Sequence, residues 1–141
     1  MTFTWSFSTQ FAKEFANFPK DQQDKVLDFV DTFENFGLAD WFRYPGKISY
    51  SWKNLAATDP AFVFASANDL WHYHIGIPVY VTVPGRPYQT SDWVLHFQWP
   101  GKGSHIDVVD LYQHYTVSRA FYLPPAQSLA IPDPNSPAPT P

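Results

Sequence analysis

A chain of 141 residues that is 45% hydrophobic and 19% aromatic carries enough apolar side chains for one buried core, which excludes an intrinsically disordered protein. Cysteine is absent, so disulfides, thiol nucleophiles and thiolate metal sites are excluded together, and any chemistry falls to carboxylates, histidines and hydroxyls. The net charge of −4 argues against a nucleic-acid partner until its distribution is read: residues 1–40 carry seven Asp/Glu against three Lys, whereas residues 41–123 carry six Lys/Arg against five Asp and hold all five histidines. No apolar run approaches the roughly eighteen residues that span a bilayer, and the start, MTFTWSFSTQF, lacks the charged and apolar segments of a signal peptide. The expected location is the cytoplasm, with no membrane partner.

In chain order, Phe3, Trp5 and Phe7 recur at period two and predict a short strand. The period then changes. Ser8 or Thr9 can cap a helix carrying Phe11, Phe15 and Phe18 on one stripe, and Pro19 ends it and opens a second helix. In that second helix Val26, Phe29, Val30 and Phe33 form the inward face, and Gly37 is the stop. Residues 41–68 show no sustained periodicity and read as a long connection with one helical turn near Ser51–Ala57. Strand signals resume at Leu70–Ile75, where Trp71, Tyr73 and Ile75 alternate with His72 and His74, and residues 77–83 can extend the strand past a bend at Gly76-Ile77-Pro78. Pro84–Ser91 is a polar excursion. From Pro124 onward seven prolines predict a tail without helix or sheet, giving a domain over residues 1–123 and a disordered tail over 124–141.

The stretch Asp92–Tyr115 reads as two strands joined by a Pro-Gly-Lys-Gly turn. Trp93, Leu95, Phe97 and Trp99 share one face, with Val94, His96 and Gln98 on the other. On the returning strand strict alternation places Ile106, Val108, Asp110, Tyr112 and His114 on one side and Asp107, Val109, Leu111, Gln113 and Tyr115 on the other. The expected fold is α+β, an N-terminal helical hairpin packed on a twisted, mainly antiparallel sheet. Phe15, Val26, Phe29, Val30, Phe33, Leu95, Phe97 and Val109 are expected in one core.

In such a meander His72, His74 and His96 share the face turned away from the helices, and His114 joins them if its strand keeps register. Two chemistries could use the cluster. One is a three-nitrogen zinc shell of His72, His74 and His96, which a bare His-x-His supports weakly. The other is metal-independent RNA cleavage, in which a 2′-OH attacks the adjacent phosphate. Histidine, with an unperturbed pKa of about 6.5, can take either proton-transfer role there. Arg43, Lys47, Lys53, Lys102 and Arg119 are the cations available to an RNA backbone.

A strand, a helical hairpin with KDQQDKVLDFV in its second helix, a basic loop containing Trp52-Lys53-Asn54-Leu55, a Leu70-Trp71 strand and a last strand ending in Tyr112-Gln113-His114-Tyr115 together resemble the RelE/ParE toxin superfamily. The likeness runs from about residue 9 to 116 and is nearest to the ribosome-dependent mRNA interferases of the YoeB type. It implies the toxin of a type II toxin–antitoxin pair, a cognate antitoxin as partner, the ribosome and mRNA as target, and no metal or cofactor. It also implies that His114 is the general acid and that Tyr115 positions the RNA. Those toxins have arginines after the Trp of the second sheet strand and a loop Glu as general base. This chain has His72, Tyr73 and His74 there, and its two glutamates, Glu14 and Glu34, fall on the helices. The base and phosphate-stabilising roles then pass to His72, His74, His96, Lys47 or Lys53. The alternatives are a non-catalytic ParE-like inhibitor or binding protein of a mobile element, and a histidine-liganded zinc enzyme.

Overall fold

The structure, a computed structural model, describes residues 2–116 and 120–130. Its elements run β1 (Thr4–Phe7), α1 (Thr9–Phe15), α2 (Lys20–Phe36), β2 (Ile48–Tyr50), α3 (Pro60–Ala67), β3 (Leu70–His74), β4 (Val81–Thr82), β5 (Gln89–Thr90), β6 (Trp93–Gln98) and β7 (His105–Gln113). The fold is α+β. Five strands form one mixed sheet in the order β1-β7-β6-β3-β2, while β4 and β5 pair separately as a short ribbon. Only the β1–β7 pair is parallel, with Thr4 opposite His105 and Phe7 opposite Val108.

The helix signals act as read. Ser8 caps α1, its Oγ accepting the Phe11 N–H at 3.2 Å, and α2 follows Pro19 directly. At the end of α2, Gly37 takes φ 70°, and a Cβ there would meet the Phe3 ring at 2.5 Å, so glycine is required twice over. The stripe Val26, Phe29, Val30 and Phe33 packs against Tyr73, Leu95, Phe97, Ile106 and Val108, with Phe15 half-buried at its margin. This is the main core.

Among the described residues, an apolar cluster seals one end of the opposite face. There α3 and the segment near Leu129 seal a second cluster of Ala65, Leu70, Val109 and Leu129. Val109 is therefore a correction to the expected single core. A register shift lies opposite His96 and Phe97: Phe97 pairs with Val108, but His96 pairs with Asp110, leaving Val109 as the extra residue of a β-bulge. Beyond it the alternation is reversed, so Leu111 joins the helix-side core and Asp110 faces the other way, beside His96.

Two further expectations change. Residues 41–68 contain β2 and α3 rather than a lone helical turn. The α3 signal was the Asp59-Pro60 pair, with Asp59 Oδ1 accepting the Ala61 N–H at 2.9 Å and Pro60 at the first helical position. The tail does not start at Pro124. Ala126–Ser128 form a 3₁₀ turn, Leu129 is buried, and the Ala130 N–H donates to Gln98 Oε1 at 2.9 Å. Residues 131–141 lie outside the described residues. Among those described, no helix is long and apolar enough to cross a membrane.

Phe33 is fully buried and Phe42 is 69% exposed. Phe33→Ala should cost about 3–5 kcal/mol of unfolding free energy by urea titration, and Phe42→Ala no more than about 0.5 kcal/mol. Equal losses at both would contradict the core described here.

Candidate active site

Four histidines converge on the remainder of the second face. His72 and His74 stand two residues apart on β3 and so point the same way, and His96 is the cross-strand neighbour of His72 on β6. His114 follows the end of β7. Its N–H donates to the Asp92 carbonyl at 2.7 Å and its carbonyl accepts the Tyr122 N–H at 3.0 Å. It reaches this face because the bulge breaks the alternation; kept register would have sent it toward the helices. The His74 and His114 rings stack with centroids 5.1 Å apart, and those of His72 and His114 lie 5.5 Å apart. Phe121 covers them, 4.9 Å from His72 and 4.8 Å from His114.

Each imidazole has its own surroundings. The His72 Nδ1 lies 2.9 Å from Ser51 Oγ. The His74 Nδ1 lies 3.0 Å from both the backbone N–H and the carbonyl oxygen of Ser91, so the tautomer decides whether it accepts or donates. Among the described residues, His114 Nδ1 is buried without a partner, and so are both ring nitrogens of His96. Burial lowers all four pKa values, to about 4 for His74 and about 3 for His96, with His72 also well below its ordinary value. After burial, the neighbouring imidazoles and the Lys47 ammonium push His72 further down, and Lys47 does the same to His114. The resting cluster is neutral at pH 7.

Gly46 brings Lys47 here. A Cβ at Gly46 would lie 1.7 Å from the His74 carbonyl oxygen, so only glycine lets the backbone pass this close, and the His74 N–H then donates to the Lys47 carbonyl at 2.9 Å. Two clefts, of about 720 and 320 Å³, share Lys47, His74, His114 and Tyr115 on their walls. Among the described residues, Asp92 is the one carboxylate lining the larger. A third groove of about 470 Å³ runs along the β2 edge and shares Lys47, Tyr50 and Lys53 with the smaller cleft. Among the described residues its cations are Lys47, Lys53, Arg86 and Lys102, its aromatics Trp41, Tyr50, Trp71 and Tyr88, and no carboxylate lines it.

The structure thus gathers His72, His74, His114, Tyr115, Lys47 and Lys53, with Lys102 in the adjoining groove. It does not bring His96 to the surface: this residue is fully buried and lines none of these spaces, which corrects both its expected proton-transfer role and its place in a zinc shell. The three histidines whose ligand atoms lie within 4.8 Å of one another are His72, His74 and His114. His72 and His74 are 6% and 7% exposed, and His114 is half-buried. Arg43 is turned away, paired with Asp40 at 3.4 Å and stacked 3.9 Å from the Phe36 ring centre. Arg119 lies outside the described residues. Sequence reasoning missed Asp92, Arg86, Tyr88, Trp41 and Phe121; the Arg-Pro-Tyr of the polar excursion was a signal, since it sets a cation and an aromatic together in a segment otherwise read as turn.

Comparison with family models, with curated proteins and with solved structures found no match.

The burial of neutral imidazoles sets a stability profile. Their folded-state pKa values lie below the unfolded value of about 6.5, so the unfolded chain binds more protons between the two. Stability should hold above pH 6.5 or so and fall as the pH drops toward about 4. Asp110 and Asp69, with their pKa values raised chiefly by burial, pull the other way, but they are two groups against four. A urea midpoint unchanged from pH 8 to pH 5 would contradict this. His96→Leu removes two unsatisfied nitrogens from the core and should raise stability by about 1–3 kcal/mol at pH 7; a loss would mean that His96 has a partner.

Proposed function

We propose that the chain is the toxin of a type II toxin–antitoxin pair and cleaves mRNA on the ribosome without a metal. The observation that carries this reading is the junction of two surfaces. A cleft walled by His74, His114, Lys47 and Tyr115 opens next to a groove lined, among the described residues, by four cations and four aromatics with no carboxylate. Cations suit a phosphate backbone, and exposed aromatics suit unstacked bases, the pairing used by proteins that hold single strands. The resemblance to RelE/ParE toxins adds the order of elements and the His114-Tyr115 end of the last long strand.

In this mechanism His74, neutral at rest, takes the 2′-OH proton, standing in for the glutamate the chain lacks. The scissile phosphate brings an anion beside Lys47 and His114. An anion favours the charged imidazole, so binding of substrate offsets the burial and the ammonium that lower the His114 pKa, and His114 then protonates the leaving 5′-oxygen. Lys47 balances charge on the phosphorane. Tyr115, 58% exposed and 4.3 Å from the His114 ring, stacks against a base. A cognate antitoxin would cover this face, and a ribosomal target places the protein in the cytoplasm.

Expressed without an antitoxin, the chain should arrest growth and produce transcripts whose cleavage depends on ribosomes. His114→Ala should reduce cleavage by about 10²–10⁴-fold at equal soluble protein level. Lys47→Ala and Lys53→Ala should weaken it by loosening phosphate contacts. His105, bonded to Thr4 and Asp107 at the far edge of the sheet, should tolerate alanine. Growth arrest with intact mRNA, unaffected by His114→Ala, would replace this reading with a non-catalytic ParE-like inhibitor.

A further inference from the structure

We propose that His72, His74 and His114 form a three-nitrogen site for a divalent transition-metal ion, Zn²⁺ above all, and that an ion held there occupies the imidazoles used for proton transfer. The site goes beyond the RNA reading and stands without it; only the inhibitory consequence rests on that reading.

The geometry is nearly that of a ligand shell. One nitrogen from each of the three rings lies within 4.8 Å of the others. In a tetrahedral shell with Zn–N bonds of about 2.1 Å, ligand nitrogens stand about 3.4 Å apart, so the rings need close by at most about 1.4 Å. His114 sits beyond its strand end and can supply that movement by side-chain rotation. Ser51 Oγ lies 2.9 Å from His72 Nδ1, and His74 Nδ1 lies 3.0 Å from both the Ser91 carbonyl and the Ser91 N–H, so metal binding selects the tautomer that donates to the carbonyl. When both rings donate through Nδ1, each keeps Nε2 for a metal, and outer hydrogen bonds of this kind orient ligating histidines. The third ring has a buried Nδ1 with no hydrogen-bond partner among the described residues.

Chemistry selects the ion. Three imidazoles without a thiolate suit Zn²⁺, Co²⁺ or Ni²⁺, whereas Mg²⁺ and Ca²⁺ require oxygen ligands. A fourth position faces the cleft, where water can enter. The nearest cost is Lys47, whose ammonium lines the same clefts and repels a dication. This gives the proposal a signed consequence: Lys47→Met should tighten the metal while weakening the RNA chemistry.

The test is calorimetric titration of the full-length chain with ZnCl₂ at pH 7.5, with MgCl₂ as control, alongside NMR of the wild-type imidazole resonances during the same titration. Expected are one Zn²⁺ per chain, no Mg²⁺ binding, and shifts of the His72, His74 and His114 signals with His105 unmoved. His72→Ala, His74→Ala and His114→Ala should each weaken binding by at least about tenfold, and His105→Ala should not. Absence of Zn²⁺ binding to the wild-type chain, or binding that leaves those three resonances unmoved, overturns the site whether or not a variant folds. In the mRNA cleavage assay Zn²⁺ should inhibit and a chelator should restore activity. Cleavage that requires Zn²⁺ would overturn the inhibitory role and the metal-free mechanism together while supporting the ion site.

Discussion

One extra residue in β7 decides what the open face of the sheet can do. Because Val109 has no partner across from it, the strand turns through one position, and the side chains that follow exchange faces. Before the bulge Ile106 and Val108 feed the core beneath α2; after it Leu111 does, which returns Asp110 to the face of His96 and lets His114 meet His74. Val109 is not wasted, since it closes the small cluster under α3. Restoring strict alternation would drive His114 into the helix-side core and leave His72 and His74 without their third ring.

Electrostatics then follow from packing. Four imidazoles set side by side, capped by Phe121 and approached by Lys47, can share so small a volume only if they are neutral, because each charge would be poorly solvated and repelled by the next. A neutral imidazole has a free lone pair. That lone pair can receive a substrate proton or bind a metal, but it cannot do both at once, so the proposed RNA cleavage and the proposed metal binding would compete for the same nitrogens. Lys47 biases the competition toward the anion, and Gly46 is the residue that lets Lys47 lie there.

Much of the fold was legible. The α2 stripe, its glycine stop, the alternation of β3 and β6, and the shared face of His72 and His74 all follow from local periodicity. What escaped depends on non-local or aperiodic features. The Val108-Val109 pair looks like ordinary alternation, so the bulge leaves no mark in composition. The helix α3 is apolar on nearly every side and carries no stripe, and β2 is three residues long. The parallel pairing of β1 with β7 joins segments about a hundred residues apart. The cationic groove is assembled from Trp41, Tyr50, Trp71, Arg86 and Lys102, which share no motif. Asp92 and Phe121 enter the site because of how the chain turns after its strands, not because of any pattern around them.

The convergence of His74 and His114 on one face is the point on which the functional reading turns, and imidazole NMR of the wild-type chain measures it directly. Expected are through-space contacts between the His74 and His114 rings, contacts from Phe121 to His72 and His114, and depressed pKa values for all three histidines. A His114 that titrates at its ordinary value and shows contacts to Leu95 on the helix side would mean that β7 runs without its bulge, and that no such site exists.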